Sequence, residues 1–289
     1  MIIAIVGTTA SGKTDLALYL AKKYSGEIIC ADSRTLYRGM DIGTAKPTKE
    51  EQLEVRHHLL DVIDPGQRLS AEAFKRMVGT AEVQIVARGN LPILVGGSGM
   101  YVDAVMYDYD FPGGYDAKTR EKLELQSTQT LASQLAKRDP EAYARVDLHN
   151  RRRVIRALET VGQARRKRSR VREDALVLGL TLNKEVVRAR VEQRINKMLE
   201  EGFMDEVRTI GERFGWDGSA MDVIGYRAFK EVVMGRKTVE DATAEFVRGD
   251  MMLYKKQVTW FKRNPQIHWL AGNVREQADQ LVSAFVKYT

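Results

Sequence analysis

A glycine-rich stretch near the start of the chain has the residue types that grip phosphate groups. The pattern G-x-x-x-x-G-K-[ST] is filled by Gly7, Gly12, Lys13 and Thr14. Such a loop offers backbone N–H groups and a helix N-terminus to phosphate oxygens, its lysine neutralises charge, and its hydroxyl can ligate Mg²⁺. A plain glycine-rich turn is the alternative. The candidate phosphate-binding residues are Gly7, Thr8, Thr9, Ala10, Ser11, Gly12, Lys13 and Thr14.

Two further polar side chains follow apolar runs. Asp32 ends "EIICAD", and Ser98 follows "LPILVGG". Asp32 could bind Mg²⁺, accept a proton from a nucleophile or cap the turn that follows it. Ser98 could hydrogen-bond a substrate or only satisfy its own turn. Between them, Asp41, Thr44 and Lys46 could line the same cleft or belong to a solvated loop.

The elements that must position these residues alternate between strands and helices. The runs "MIIAIV", "EIICAD" and "LPILVGG" have strand character, whereas "DLALYLAKKY" and "SAEAFKRMVGTAEVQIVARG" have helical spacing. This alternation predicts an α/β fold with a parallel, doubly wound sheet. Ligands bind such sheets outside the carboxyl ends of the strands. We therefore expect the glycine-rich loop, Asp32–Ser33 and Gly96–Ser98 to share one crevice.

Past Phe111 the strand signal disappears and helical spacing takes over. We expect a basic helical insertion at 112–173 within an α/β core formed by 1–111 and 174–289, with "ALVLGLTL" as a strand that returns to the sheet. Glu159 is the single acidic residue between positions 151 and 172, which is typical of a surface that contacts phosphates. The run Arg165–Arg172 could equally be a disordered basic loop.

The last hundred residues predict helices and one edge strand, "PQIHWL". In "MMLYKKQVTWFKRN", lysines and an arginine stand beside Tyr254, Trp260 and Phe261. Basic residues beside aromatic ones suit RNA, whose unpaired bases stack on aromatic rings. Packing of Trp260 and Phe261 into the core is the alternative. His57 and His58 lack a third ligand at metal spacing and precede an apolar stretch, so we interpret them as structural.

Composition narrows the class of protein further. Of the 289 residues, 44% are hydrophobic and 29% are charged, as in an ordinary protein with a buried core. The single cysteine, Cys30, excludes an internal disulfide and a cysteine-cluster metal site. We find no apolar run of about 18 residues and no charged segment before the first strand, so we expect a cytoplasmic protein. The net charge of +7 indicates a polyanionic partner.

Together these motifs resemble the tRNA dimethylallyltransferase family, also called tRNA isopentenyltransferases. The resemblance is carried by the glycine-rich loop, "DSRTLYRGMDIGTAKP", "HHLLD", "LPILVGGSGMY", "RRVIRALE", "VIGYR" and "KKQVTWFK". It implies a P-loop core with a helical insertion, and transfer of a dimethylallyl group from dimethylallyl diphosphate to N6 of the adenosine beside the anticodon. The expected substrates are tRNAs that read codons starting with U. The implied partners are the tRNA anticodon stem-loop and Mg²⁺, and we expect a monomer without membrane association.

The resemblance also implies roles for single residues. Lys13, with Mg²⁺ held partly by Thr14, would offset the charge of the leaving diphosphate, and Arg227 would bind the donor as well. Asp32 would take a proton from the adenine amine, and Ser98 would hydrogen-bond nearby. The implied tRNA contacts are Asp32, Ser33, Arg34, Thr35, Ser98, Arg120, Arg152, Arg153, Arg156, Gly225, Tyr226, Arg227, Lys255, Lys256, Gln257, Thr259, Trp260 and Lys262.

Four positions depart from the family pattern. Thr8 stands where the family usually has Pro, and Ser98 stands where it usually has Thr, so the hydroxyl is kept. Thr35 replaces a common Gln at a position implied to contact a base. Met251 replaces a common Arg. Two other classes of protein remain in view, namely a P-loop kinase that uses ATP and a nucleic-acid-binding module without catalysis.

Overall fold

The computed structural model describes residues 1–109, 111, 117–162 and 170–288. Contacts divide the chain into two compact units, one formed by Met1–Tyr107 with Arg170–Thr289 and the other by Asp108–Ser169. The insertion expected at 112–173 therefore differs from the smaller unit by a few residues at each end. Val171 and Arg172 belong to the larger unit, because Val171 is buried there and its N–H donates to the Gln266 side chain.

The larger unit is built on a six-stranded parallel sheet. Its strands are β1 (Ile2–Gly7), β2 (Gly26–Cys30), β3 (His57–His58), β4 (Leu91–Gly96), β5 (Ala175–Leu180) and β6 (His268–Leu270). They lie in the order β3-β2-β4-β1-β5-β6. Every residue of the central strand β1 is buried, as expected where helices cover both faces of a parallel sheet. The prediction of an α/β fold with a parallel sheet and flanking helices is confirmed.

The described residues form thirteen α-helices, four of which make up the smaller unit. No helix of the described chain is long and apolar enough to cross a membrane. The helices are α1 (Lys13–Lys23), α2 (Lys49–Glu54), α3 (Ala71–Ala87), α4 (Gly99–Met106), α5 (Ala117–Glu124), α6 (Thr128–Arg138), α7 (Pro140–Arg145), α8 (Arg151–Glu159), α9 (Lys184–Glu200), α10 (Phe203–Phe214), α11 (Ile224–Val233), α12 (Val239–Phe261) and α13 (Val274–Tyr288).

The smaller unit has a core of its own. Leu123, Leu131 and Leu135, which the helical spacing marks as inward-facing, are buried against Val154 and Leu158 of α8. The turn between α6 and α7 is fixed by a side chain, because an Asp carboxylate at the junction caps α7 and a Pro occupies its first position. Apolar burial on one stripe of α8 leaves its basic residues on the other side.

The histidine pair is structural, but in a different way from that expected. His57 and His58 are themselves the short strand β3, which ends there because Leu59 takes a left-handed backbone with φ 60°. The Nε2 of His58 lies 2.6 Å from the Glu27 carboxylate. Hydrogen bonds from Arg88 are the main cause of the lowered pKa of Glu27, about 2, and His58 and an asparagine amide add to it.

Candidate active site

The loop Gly7–Thr14, here called the P-loop, connects β1 to α1. Gly7 and Gly12 both have positive φ, 151° and 89°. A Cβ on Gly7 would lie 2.0 Å from the carbonyl oxygen of Leu180, so only glycine fits where β1 and β5 meet. Thr8 is buried and its N–H donates to the same carbonyl, a contact that ties the start of the loop to the sheet.

Lys13 is the first residue of α1, and its Nζ donates to the carbonyl oxygen of Thr8 at 2.5 Å. Burial lowers the pKa of Lys13 to about 8, the nearby Asp32 carboxylate opposes this change, and the Arg194 guanidinium adds to it. Lys13 and Arg194 thus place two positive charges at the mouth of the P-loop, which favours the binding of an anion between them. The structure thus pairs Lys13 with an arginine that the P-loop pattern does not contain.

The P-loop opens into a cavity of about 830 Å³, here called the P-loop cavity. Across from the loop residues it is lined by Arg190, Arg194 and Lys197 of α9. The guanidinium of Arg190 donates to the carbonyl of Ala10 at 3.2 Å, and that of Arg194 donates to the hydroxyl of Thr9 at 3.3 Å. A signal for these residues is present in the sequence, because basic positions recur beside the apolar stripe of α9.

Asp32 and Ser98 lie together at the carboxyl ends of β2 and β4. The hydroxyl of Ser98 accepts a hydrogen bond from the N–H of Ser33 at 2.9 Å. One carboxylate oxygen of Asp32 accepts from the N–H of Arg34 at 2.9 Å, which is the turn-capping role. The other oxygen has no hydrogen-bond partner within the described chain, and Asp32 lines both the P-loop cavity and its neighbour. Asp32 can therefore cap its turn with one carboxylate oxygen and accept a proton with the other.

The neighbouring cavity, here called the Trp260 cavity, has a volume of about 290 Å³. Its walls include Ser98, Phe246, Leu253 and Trp260, and it shares Thr9, Asp32 and Arg194 with the P-loop cavity. The indole N–H of Trp260 donates to the Asp103 carboxylate at 3.1 Å, which fixes the ring. A Cβ on Gly99 would lie 2.4 Å from that ring, so glycine is needed for the indole to lie there. Trp260 is therefore a wall of the site, whereas Phe261 is packed in the core.

Two buried polar residues connect the walls of these cavities. The side chain of Gln257 accepts from the N–H of Thr9 at 2.8 Å and donates to the carbonyl of Gly97 at 3.0 Å. The guanidinium of Arg194 donates to the Asp250 carboxylate. Burial raises the pKa of Asp250, and the positive charge of Arg194 opposes only part of this increase. Gln257, implied by the resemblance to contact tRNA, thus holds the P-loop against the Ser98 turn.

Two other implied tRNA contacts lie inside the protein. Tyr226 is fully buried, and its ring packs edge-on against Phe203 with ring centroids 5.3 Å apart. A Cβ on Gly225 would lie 2.6 Å from the Phe246 ring. Neither residue presents a side chain on the surface, because the amphipathic spacing of α11 turns them toward the core. We correct the RNA-contact role that the resemblance implied for the Tyr226 ring.

Arg227 lines neither of the two cavities, so the structure does not place it at the P-loop as the resemblance implied. It lies 3.7 Å from Glu245 and borders a third cavity of about 470 Å³, here called the basic cleft. The cleft is open to solvent, and its basic residues come from α9, α11 and α12. They are Lys184, Arg188, Arg227, Arg248 and Lys255.

The remaining surface candidates on α12 are exposed. Lys255, Lys256, Thr259 and Lys262 all lie on the solvent side of the helix, and Lys256 also lines the Trp260 cavity. Met251, at the position where the family commonly has Arg, is 8% exposed, packs in the core with residues of α9 and α11, and also borders the basic cleft. An arginine there would have to leave the core or carry an unpaired charge.

In the turn after Asp32, Thr35 is buried and its hydroxyl donates to the carbonyl of Asp32 at 3.3 Å. Arg34 and Ser33 line the Trp260 cavity together with Asp32. Thr35 instead lines the P-loop cavity. The residue that replaces a common Gln therefore supports the turn from inside.

In the smaller unit, some basic side chains form ion pairs with glutamates and others are exposed to solvent. Arg120 lies 2.9 Å from Glu124 and 3.3 Å from Glu159, and Arg156 lies 3.3 Å from Glu159. Arg152 is exposed, and so is Arg153, which lies 4.0 Å from Asp147. Among the implied tRNA contacts described in this unit, Arg152 and Arg153 thus turn their charges to solvent, at the start of α8.

The run Arg165–Arg172 lies largely outside the described residues, which omit 163–169. Its last residue, Arg172, is described in the larger unit and is half-buried. Its guanidinium donates to Glu82 at 2.7 Å and to Asp174 at 2.6 Å, and these contacts raise its pKa. Arg172 therefore fits neither alternative given for this run, RNA contact or a disordered loop, because its charge is satisfied within the protein.

The described residues contain no group of three or more His, Cys, Asp or Glu side chains that could hold a metal. Thr14 lines the P-loop cavity together with Asp15 and Asp32. Cys30 lines it from β2, is buried, and has its pKa raised to about 12 by that burial. A divalent cation beside Thr14 would therefore find a hydroxyl and the carboxylates of Asp15 and Asp32 along the cavity, not a protein cage.

Comparison with known proteins places these features in a family. The sequence model of the family described as "IPP transferase" matches residues 35–264. The chain is 38% identical over 288 residues to a tRNA dimethylallyltransferase of Streptomyces coelicolor, covering 96% of this chain and 92% of that protein. It is 39% identical over 283 residues to a tRNA dimethylallyltransferase of Bifidobacterium longum subsp. infantis, covering 93% and 86%.

Solved structures agree with the sequence matches. The crystal structure of the tRNA isopentenylpyrophosphate transferase of Bacillus halodurans aligns with a TM-score of 0.75 at 34% identity, covering 99% of this chain and 97% of that one. A eukaryotic dimethylallyltransferase, solved while acting on tRNA, shares the fold with a TM-score of 0.86 at 24% identity, covering 99% and 79%. With its P-loop cavity, its Asp32 junction and this near full-length similarity, the chain belongs to the IPP transferase family, whose named members are tRNA dimethylallyltransferases.

Proposed function

We propose that this chain transfers a dimethylallyl group from dimethylallyl diphosphate to N6 of the adenosine beside the anticodon, in tRNAs that read codons starting with U. The observation that carries the proposal is the junction at Asp32. There a phosphate-binding cavity and a cavity walled by Trp260 share Asp32, Thr9 and Arg194. An electrophile held by its diphosphate and a purine held by its ring can meet at this point.

The P-loop cavity suits the diphosphate of the donor. The N–H groups of the loop, the N-terminus of α1 and the charge of Lys13 all favour an anion. Arg190 and Arg194 add positive charge from α9. These groups stabilise the leaving diphosphate most when its charge increases in the transition state.

The Trp260 cavity suits the acceptor base. Its walls are mainly apolar and aromatic, with Phe246, Leu253 and Trp260 beside Ser98. A base must leave its stack to enter such a cavity, at a cost of a few kcal/mol, and stacking on an aromatic ring returns part of that free energy. Exposed Arg152 and Arg153 in the smaller unit, and the basic cleft in the larger one, offer positive charge to the RNA backbone.

The transfer itself is a substitution at C1 of the donor. The bond between C1 and the diphosphate oxygen breaks, and the diphosphate leaves with the electron pair. The bond between N6 and C1 forms, which makes N6 acidic, and the free oxygen of Asp32 takes its proton. Ser98 orients this reaction region because its hydroxyl fixes the turn at Ser33.

The oxygen ligands present fit Mg²⁺. This ion keeps several waters and binds through one or two protein oxygens plus substrate phosphates, so a site without a protein cage is what it requires. The Thr14 hydroxyl would hold it, beside the diphosphate. When bound, the ion would supply charge that offsets the leaving group.

The direct test is a transfer assay with two labelled donors. The protein is incubated with tRNA and with dimethylallyl diphosphate labelled in its hydrocarbon part, or with ATP labelled in its γ-phosphate. Label from the hydrocarbon should appear in tRNA, in an adenosine beside the anticodon, and label from ATP should not move. Transfer of the γ-phosphate would identify a kinase, and tRNA binding without any transfer would identify a binding module.

A further inference from the structure

The segment 41–46 contributes to both cavities but belongs to no helix or strand. Gly43, Thr44 and Ala45 line the Trp260 cavity, and Thr44 and Ala45 line the P-loop cavity as well. Ala45 has a left-handed backbone with φ 50°. Because no regular structure holds this segment, its shape must come from side chains packed against it.

One carboxylate supplies most of that support. The Glu206 side chain, in the first turn of α10, accepts hydrogen bonds from the N–H groups of Asp41 and Ile42 at 2.8 Å and of Gly43 at 2.9 Å. It also accepts from the Tyr226 hydroxyl at 2.5 Å. Four donors fill the acceptor positions of a carboxylate.

The charge of Glu206 strengthens this arrangement. Successive backbone N–H groups form a concavity that binds anions, and here the anion is a side chain of the same protein. Hydrogen bonds to an ionised acceptor are about twice as strong as neutral ones. Burial, followed by the Glu206 charge, raises the pKa of Tyr226, so its hydroxyl remains a donor.

Packing around the segment is correspondingly tight. A Cβ on Gly43 would lie 2.2 Å from the Phe203 ring and 2.7 Å from the Tyr226 ring, so only glycine fits. At the far end, the Nζ of Lys46 is buried and donates to the Asp41 carboxylate, to Asp61 at 2.6 Å and to the carbonyl of Tyr37 at 2.8 Å. The motif "MDIGTAKP" is thus held at both ends by groups of the protein.

We infer that Glu206 is a positioning residue, which holds 41–45 in the shape that the acceptor base and the donor require. Neither Glu206 nor Tyr226 lines the P-loop cavity or the Trp260 cavity, so both act through the backbone of the segment. The inference rests on the proposed function for its kinetic readout. It also assigns to the Tyr226 hydroxyl, in the motif "VIGYR", the role of orienting Glu206.

The test is Glu206→Gln, in which an amide NH₂ that cannot accept replaces one acceptor oxygen. We expect amide hydrogen exchange at 41–43 to rise at least about tenfold, because these N–H groups lose an acceptor. We expect kcat for transfer to fall about 10- to 100-fold, with the KM for dimethylallyl diphosphate changed less than about threefold. Glu212→Gln, at an exposed glutamate of the same helix, is the matched control and should leave all three values unchanged.

Tyr226→Phe provides a second variant if Glu206→Gln does not fold. It removes one donor to Glu206 and leaves the three backbone N–H groups paired, so we expect the same direction with a fall in kcat of about threefold to tenfold. Wild-type transfer to tRNA is measured first, and its absence would count against the proposed function alone. With an active wild type, unchanged kcat in both variants, or equal changes in kcat for Glu212→Gln, would overturn the positioning role.

Discussion

The P-loop cavity and the Trp260 cavity meet at Asp32 but are built in different ways. The first is formed around eight consecutive residues, Gly7–Thr14, whose path is fixed locally by Gly7 and Gly12. The second is formed by short pieces of α9, α11 and α12 with three segments far away in sequence, at 32–34, 43–45 and 97–99. Anion recognition thus centres on one continuous motif, to which α9 adds positive charge, whereas the shape offered to a base depends on tertiary packing throughout. Substitutions on the two sides should therefore have separable effects.

The largest effect is expected at the junction, with Asp32→Asn. Asn keeps the size and one hydrogen-bond acceptor but cannot take the proton of the adenine amine. We expect the single-turnover rate to fall about 10²- to 10⁴-fold, the usual value of general-base help. Binding of tRNA should change less than about tenfold. Asp205→Asn, at an exposed aspartate of α10, is the control. Near-normal turnover would leave Asp32 with its turn-capping role only.

Lys13→Ala tests the P-loop side of the comparison. Loss of this charge removes the lysine of the P-loop, which we propose stabilises the leaving diphosphate, so we expect kcat/KM for the donor to fall about 10²- to 10³-fold, with tRNA affinity kept. Lys22→Ala, exposed on the same helix, is the matched control. Loss of tRNA affinity with intact donor binding would show that the loop does not hold the donor.

Trp260→Ala tests the Trp260 cavity, which we propose binds the acceptor base. Stacking of a base on an aromatic ring contributes about 1–3 kcal/mol, so we expect tRNA binding to weaken about 10- to 100-fold while donor binding is kept. Trp260→Phe should retain most of the affinity, because Phe still offers a ring and loses only the hydrogen bond to Asp103. Trp269→Ala, at a partly exposed tryptophan of β6, is the control. If the donor KM rises as much as the tRNA Kd, the two cavities are not separable.

The smallest expected effect is a pH dependence of kcat/KM for the donor, which again distinguishes the P-loop cavity from the Trp260 cavity. The pKa of Lys13 is lowered to about 8, so Lys13 is charged below pH 8 and loses its proton as the pH rises through 8. We expect kcat/KM for the donor to be constant below that pH and to fall up to about tenfold per unit above it, since this ratio reports the free enzyme. The tRNA Kd should not share this transition. Lys13→Arg should move the fall to higher pH, and an unmoved profile would assign it to another group.

The same difference explains which parts of the molecule could be predicted from the sequence. The strand runs and their glycine turns correctly placed the P-loop, Asp32 and Ser98 at one edge of the sheet, because parallel strands present their carboxyl ends together. The positions of Arg194 and Gln257 depend on how α9 and α12 pack on that edge, which no local pattern specifies. The motif "VIGYR" implies that Tyr226 contacts RNA, and only the packing of α11 reveals that its ring is buried.

The burial of Cys30 has a practical consequence for labelling. Maleimides react with thiolates, and a thiol whose pKa is raised to about 12 stays protonated and unreactive at neutral pH. Because Cys30 is the single cysteine of the chain, an exposed cysteine introduced by Val83→Cys on α3, at a position 70% exposed, becomes the one site that a dye modifies. Fluorescence from that dye can report RNA binding without removal of the native thiol.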